Sequence, residues 1–225
     1  MGAFLRPQTR PLGGHLNGAS MAAATEVLTV KAPDFRVLEV KITGESPYLQ
    51  HAFPQKAQAK IRATQEAGST AKGKKHREAR DFADDYEQAK HKSTEGWIGI
   101  PASSFRNALI SACRVVGFAM TKAKLSVFCL ADGQDSVDGQ GLVKITGEPE
   151  MTVMPVRNET GVVDLRARPM WRTWSATVRL RYDADQFTAT DVMNLLLRAG
   201  QQVGIGEGRP DSKKSAGMGY GTFTV

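Results

Sequence analysis

The stretch Trp174-Ser175-Ala176-Thr177-Val178-Arg179-Leu180-Arg181-Tyr182 alternates without a break. Trp174, Ala176, Val178, Leu180 and Tyr182 fall on one side of an extended chain, and Ser175, Thr177, Arg179 and Arg181 on the other. That period of two predicts a half-buried strand. A few residues later the period changes, and Thr188 to Gly200 reads as a helix with both ends written out. Thr188 is the N-cap, Asp191 takes the capping-box position, and Phe187 and Val192 close a hydrophobic staple. Leu195, Leu196 and Ala199 fill the core face, and Gly200 supplies the left-handed residue that stops the helix.

Working back from this strand and helix, a matching pair occurs in the first half of the chain. Phe35 to Thr43 is a strand with Leu38, Val40 and Ile42 on one face. Ile98-Gly99-Ile100-Pro101 leads into a second helix, capped by Ser103 or Ser104, with Phe105, Ala108, Leu109, Ala112 and Val116 as its buried stripe and Gly117 at its end. Arg106 and Arg114 flank it at helical spacing through Ile110. Between the two halves lie strand candidates Leu125 to Leu130, Leu142 to Thr146 and Met151 to Val156, with a turn-rich Ala131 to Gly141 segment between the first two. A last strand runs Tyr220 to Val225. Strand, helix, several strands, helix, strand is the order of an α+β, elaborated ferredoxin-like (RRM-like) fold with an antiparallel sheet and two main helices.

The chain's 225 residues accommodate one such domain, residues 34–225, with a large insertion. Residues 1–33 lack apolar periodicity and a signal-peptide core, and read as a flexible segment in which Met21 resembles an ordinary start. The insertion, residues 50–96, is polar and basic. Its middle, Gly68 to Lys75, is Gly, Ser, Thr, Ala and Lys, and Glu78 to Lys92 suits a helix with Phe82 and Tyr86 four apart. With too little apolar surface for its own core, it reads as an arm that projects and orders on a partner.

Thirty Lys and Arg against 23 Asp and Glu give a net charge of +7. The surplus is concentrated in two segments, Lys56 to Arg80 and Arg157 to Arg181, which predicts a polyanion as partner. No apolar run approaches a bilayer-spanning length, so the chain reads as cytoplasmic with no membrane partner. Two cysteines, Cys113 and Cys129, make neither a disulfide framework nor a zinc cage, and no cofactor is expected.

Between the last helix and last strand, Gly204, Gly206, Gly208, Gly217, Gly219 and Gly221 allow positive φ and close backbone approach. Exposed amides beside Arg209, Lys213 and Lys214 suit phosphate oxygens. No strand leads into this loop and no helix follows, which excludes a dinucleotide fingerprint. Gly68-Ser69-Thr70-Ala71-Lys72-Gly73-Lys74-Lys75 falls one residue short of a phosphate-binding loop, because Lys75 stands where a magnesium-holding hydroxyl belongs.

The opening Ile100-Pro101-Ala102-Ser103-Ser104-Phe105-Arg106 and the paired Gly-x-Gly before the last strand resemble the RAMP superfamily, the repeat-associated proteins that build CRISPR effector complexes. The chain is most similar to the backbone subunit that polymerises along guide RNA, or to a phage or mobile-element relative of it. The resemblance implies that Ser103, Ser104, Arg106 and the Gly204 to Gly221 loop lie near a nucleic-acid backbone. Two features depart from the family. The Gly206 to Gly217 spacing is longer than its usual loop, and the loop after the first strand carries Glu45 and His51 but no target-cleaving Asp.

The expected function is therefore non-catalytic binding of single-stranded nucleic acid, RNA favoured over DNA, with head-to-tail assembly into a homo-oligomer or filament and possible effector-type partner subunits. Lys56, Lys60, Arg62, Lys72, Lys74, Lys75, Arg77, Arg166, Arg168 and Arg172 are the candidate phosphate contacts. Trp171, between Arg168 and Arg172, is either a base-stacking ring or a core residue; Trp97 reads as core. His51 is the weak catalytic candidate. It belongs to a second reading, a metal-independent endoribonuclease in which an imidazole takes the 2′-hydroxyl proton. In a third reading the basic arm of a phage or mobile-element assembly protein tethers protein neighbours.

Overall fold

The computed structural model describes residues 30–53, 55–66, 81–157, 163–212 and 217–225. The chain divides into Met1–Ala32 and Pro33–Val225, and the second unit holds every strand and helix among the described residues. It is an α+β fold built on antiparallel sheets.

Two long strands make the frame. β1 (Phe35–Gly44) pairs with β9 (Ser175–Asp183) along its length, Phe35 opposite Asp183 and Thr43 opposite Ser175. β10 (Phe223–Thr224) lies on the other side of β1. The far edge of β9 is shared. β4 (Val127–Leu130) takes one end, with Phe128 opposite Arg181, and β6 (Gly141–Thr146) takes the other. β3 (Gly99–Pro101) and β5 (Gly133–Gln134) extend the sheet from β6. A second sheet consists of β2 (Tyr48–Leu49), β8 (Val163–Trp171) and β7 (Glu150–Arg157) in the order β2-β8-β7.

The alternation of β1 and β9 decides which face is covered. Val40, Ile42, Val178 and Leu180 are buried, while Val37, Glu39, Lys41, Thr177 and Arg181 are exposed. Against the buried side pack α3 (Ala102–Ala112), through Phe105, Ala108 and Leu109, and α5 (Ala189–Arg198), through Val192, Leu195 and Leu196. Each fully buried aliphatic or aromatic side chain contributes about 1.5–3 kcal/mol. The two helices therefore hold the sheet chiefly through this one layer. The capping box of α5 forms as expected: Thr188 Oγ1 accepts from Asp191 N–H at 3.1 Å, and Asp191 accepts from Thr188 N–H at 2.9 Å.

Several expectations are corrected. α3 begins at Ala102 with Pro101 as N-cap and no side-chain cap, so neither Ser103 nor Ser104 caps it; both serines lie inside the first turn, past the cap position. Val116 lies beyond its end and is 48% exposed. Leu125 belongs to α4 (Met120–Ser126), not to the strand that follows. α5 does not stop at Gly200. It passes into a π turn, Ala199–Val203, whose last residue is followed by Gly204 at φ +69°. Gly200 is instead required for space, because a Cβ there would meet the Phe223 carbonyl. The terminal strand is only Phe223–Thr224.

The segment 50–96 does not project throughout. Gln50 Nε2 donates to Gly99 O and Tyr86 Oη to Pro149 O, so both described ends lie on the body, and Ala52 N–H to Ala89 O ties the ends to each other. Between them are α1 (Gln55–Glu66) and residues 67–80, the latter outside the described residues. The predicted Glu78 to Lys92 helix is the shorter α2 (Phe82–Gln88), capped by Asp81.

Candidate nucleic-acid interface

The Gly-rich loop is a defined structure at both ends. Ile205 N–H donates to Gly221 O at 3.0 Å, and Met218 and Tyr220 N–H both donate to Gly208 O. The first arm is also tied outward, by Glu207 N–H to Leu49 O at 2.9 Å; the second is tied by Gly221 N–H to Pro47 O at 2.8 Å. All six glycines have positive φ, between +68° and +79°. Three of them would also meet backbone: a Cβ on Gly206 would overlap the Leu49 carbonyl, one on Gly217 the Arg209 carbonyl, and one on Gly221 the Ile205 carbonyl.

This loop meets the first half of α3. Ser104, Asn107 and Ser111 face Gly204, Gly206, Arg209 and Asp211 across a polar cleft of about 140 Å³. Arg209 Nη1 donates to Gly206 O at 3.1 Å, which holds the guanidinium at the rim. Asp211 is fixed by Arg114 Nη2 at 2.6 Å. Partial burial pushes the Asp211 carboxyl up, but hydrogen bonds from Arg114 and Ser111 outweigh it and hold its pKa below the usual carboxylate range. Ser104, Gly204, Gly206 and Arg209 are thus brought together. Ser103 is exposed and does not line the cleft. Arg106 turns away: it donates to Val127 O at 3.2 Å and to Lys124 O, and lies over the Phe128 ring.

The arginine segment behaves differently from its charge reading. Residues Val163–Trp171 form β8, and this strand buries Arg168 to 4% exposure, where its Nε donates to Glu207 Oε2 at 2.9 Å. A buried guanidinium held by a carboxylate is unavailable to phosphate, so Arg168 is a structural anchor for the Gly-rich loop. Trp171 is fully buried, donates to Gly147 O at 3.2 Å and packs on Tyr48; it is core, not a stacking platform. Arg172 is exposed beside Glu150, and Arg166 is partly exposed near Asp164. Arg62 is exposed on α1. The side chains of Lys56 and Lys60, and Lys72, Lys74, Lys75, Arg77, Lys213 and Lys214 altogether, lie outside the described residues.

His51 lies at the same junction, its Nδ1 3.8 Å from Glu207 Oε2 and its side chain 34% exposed. Partial burial, and then the charge of Arg168, push its pKa below 6.5 despite Glu207. A second histidine has no motif in the sequence to mark it. His91 Nδ1 is 2.8 Å from Asp135, whose side chain is 2% exposed. The two are 44 residues apart, so no local spacing joins them. Trp97, expected in the core, is half-buried, with Lys144 Nζ 6.0 Å from its ring.

Among the described residues no group of three or more His, Cys, Asp or Glu is arranged to hold a metal ion. No helix among them is long and apolar enough to cross a membrane. Neither a protein-family model nor a curated protein matches the chain.

Proposed function

We propose that the chain is a non-catalytic, cytoplasmic RAMP-like protein that coats single-stranded nucleic acid, RNA in preference to DNA, by head-to-tail assembly. The observation that carries this reading is the meeting of α3's first half with the Gly204–Gly206 backbone and Arg209. These segments are distant in sequence, and each is implicated by the resemblance. A polar cleft rimmed by glycine backbone and a guanidinium suits a phosphate oxygen.

The fold reading that accompanies it is an elaborated ferredoxin-like domain. It is supported by the strand order β10-β1-β9-β4, all antiparallel, with α3 leaving β1 through the insertion and α5 leaving β9 directly. Heterologous contacts between such domains need not close into a ring, which permits a filament.

The first experiment is the 260/280 nm absorbance ratio of the purified protein, with extraction of whatever accompanies it. A large nucleic-acid-rich species that collapses on RNase treatment supports the reading; collapse with DNase alone changes the ligand to DNA. Reversing charge at Lys72, Lys74 and Lys75 is expected to weaken oligonucleotide binding and flatten its dependence on salt. A protein that ignores single-stranded RNA and DNA at low salt would overturn the proposal. Magnesium-independent RNA cleavage abolished by His51→Ala would replace it with an endoribonuclease.

A further inference from the structure

The open face of the large sheet carries a group of residues that the fold does not use. Helices cover the other side. On this side Glu39 and Lys41 of β1 behave as solvent-facing residues should, yet on the same strand Phe35 is 39% and Val37 60% exposed. Register explains what surrounds them. Val37 lies opposite Arg181, and Arg181 lies opposite Phe128 on the next strand. The Arg181 guanidinium is 4.9 Å from the ring centre of Phe35 and 4.9 Å from that of Phe128. The rings meet edge to face, 5.9 Å apart, and Arg106 covers Phe128 from the sheet edge at 4.8 Å.

Charge separates Arg181 from several other arginines. Arg179, two residues earlier on the same face, is paired with Asp132 at 2.9 Å, and Arg114, Arg168 and Arg172 each have a carboxylate. Arg181 has two aromatic rings and, among the described residues, no carboxylate ion pair. A guanidinium over rings is a weak substitute for an anion. The arrangement offers an uncompensated positive charge beside accessible aromatic and apolar surface. Its complement is a ligand that alternates negative charge with flat aromatic groups.

We propose that this face binds unpaired bases of a single-stranded polynucleotide, stacked on Phe35 and against Phe128, with a neighbouring phosphate on Arg181. This rests on the reading of the chain as a single-strand binder, and adds a contact surface distinct from the Gly-rich cleft.

The test is anisotropy of labelled oligouridine and oligothymidine with the full chain, titrated over a range of salt. Phe35→Ala is expected to weaken binding about tenfold while leaving the salt slope unchanged, because stacking releases no counterions. Phe35→Tyr should bind as the parent does, and Arg181→Gln should weaken binding and reduce the salt slope by about one. Thermal melting shows whether each variant folds. Cross-linking of 4-thiouridine oligomers to the unmutated chain gives an answer that needs no variant, with adducts expected on peptides containing Phe35 or Phe128. Parent-like binding by both Phe35→Ala and Arg181→Gln, or cross-links confined to other peptides, would overturn the proposal while leaving the single-strand reading intact. Loss of self-association in Phe35→Ala with unchanged oligomer binding would also overturn it, making the face a contact between copies. If the parent chain bound neither oligomer, the single-strand reading would fail and this proposal with it.

Discussion

Gly219 and Gly221 have similar backbone conformations, φ +76° and +68°, but different surroundings. A Cβ on Gly219 would meet nothing within 4 Å, whereas one on Gly221 would land on the Ile205 carbonyl. Gly219→Ala therefore costs only the left-handed backbone term, about 1–2 kcal/mol. Gly221→Ala adds a backbone clash where the two arms of the loop cross, and is expected to cost at least about 3 kcal/mol. Thermal melting of the pair checks this, with about 2–4 °C lost per kcal/mol for a domain of this size. The same junction carries a pH dependence. His51 has its pKa lowered from 6.5 by partial burial and Arg168, so the folded state resists a proton that the unfolded chain accepts. Stability is full above about pH 6.5 and falls as the solution is acidified below it. His51→Gln should flatten that part of the profile, measured as denaturation midpoints at about pH 7.5 and about pH 5.5.

Among the elements, those with a strong local code were legible. The alternation of Trp174 to Tyr182 and the Thr188–Asp191 box each specify a conformation within a few residues, and β9 and α5 follow them. Thr188→Ala removes a side-chain acceptor from the helix start and is expected to lower stability by about 1 kcal/mol in denaturant titration. β8 was obscured by its own charge. Val163, Leu165 and Ala167 alternate with Asp164, Arg166 and Arg168, but Pro169 argues against a strand and the arginines drew the segment toward phosphate binding. The Glu207 carboxylate, 39 residues away, together with the Ala167 carbonyl, makes Arg168 tolerable inside. The same limit explains the site. The glycines announced a constrained loop, but that Ser104 faces it, that Arg106 does not, and that His91 meets Asp135 depend on packing between distant segments.

Across the whole molecule, the net charge of +7 overstates what many of the described arginines offer. Arg36, Arg114, Arg168, Arg172 and Arg179 each spend their charge on a carboxylate of the same chain. Screening of exposed pairs leaves each worth little for stability, yet each pair still cancels its field at a distance. Among the described residues, the cations without a carboxylate ion pair include Arg106, Arg181 and Arg209. Because the salt slope scales with the number of phosphates neutralised, reversing three lysines is expected to change it more than any single arginine change.

The crossing of the two glycine arms has one more consequence. Arg209 and Gly217 are held so close that a Cβ on Gly217 would overlap the Arg209 carbonyl, so the intervening residues leave and re-enter the frame at almost the same point. Closing a loop between fixed ends costs only about 0.6 kcal/mol for each doubling of its length. Lengthening the chain between Asp211 and Gly217 is thus expected to cost little stability, unlike substitution of Gly217 or Gly221.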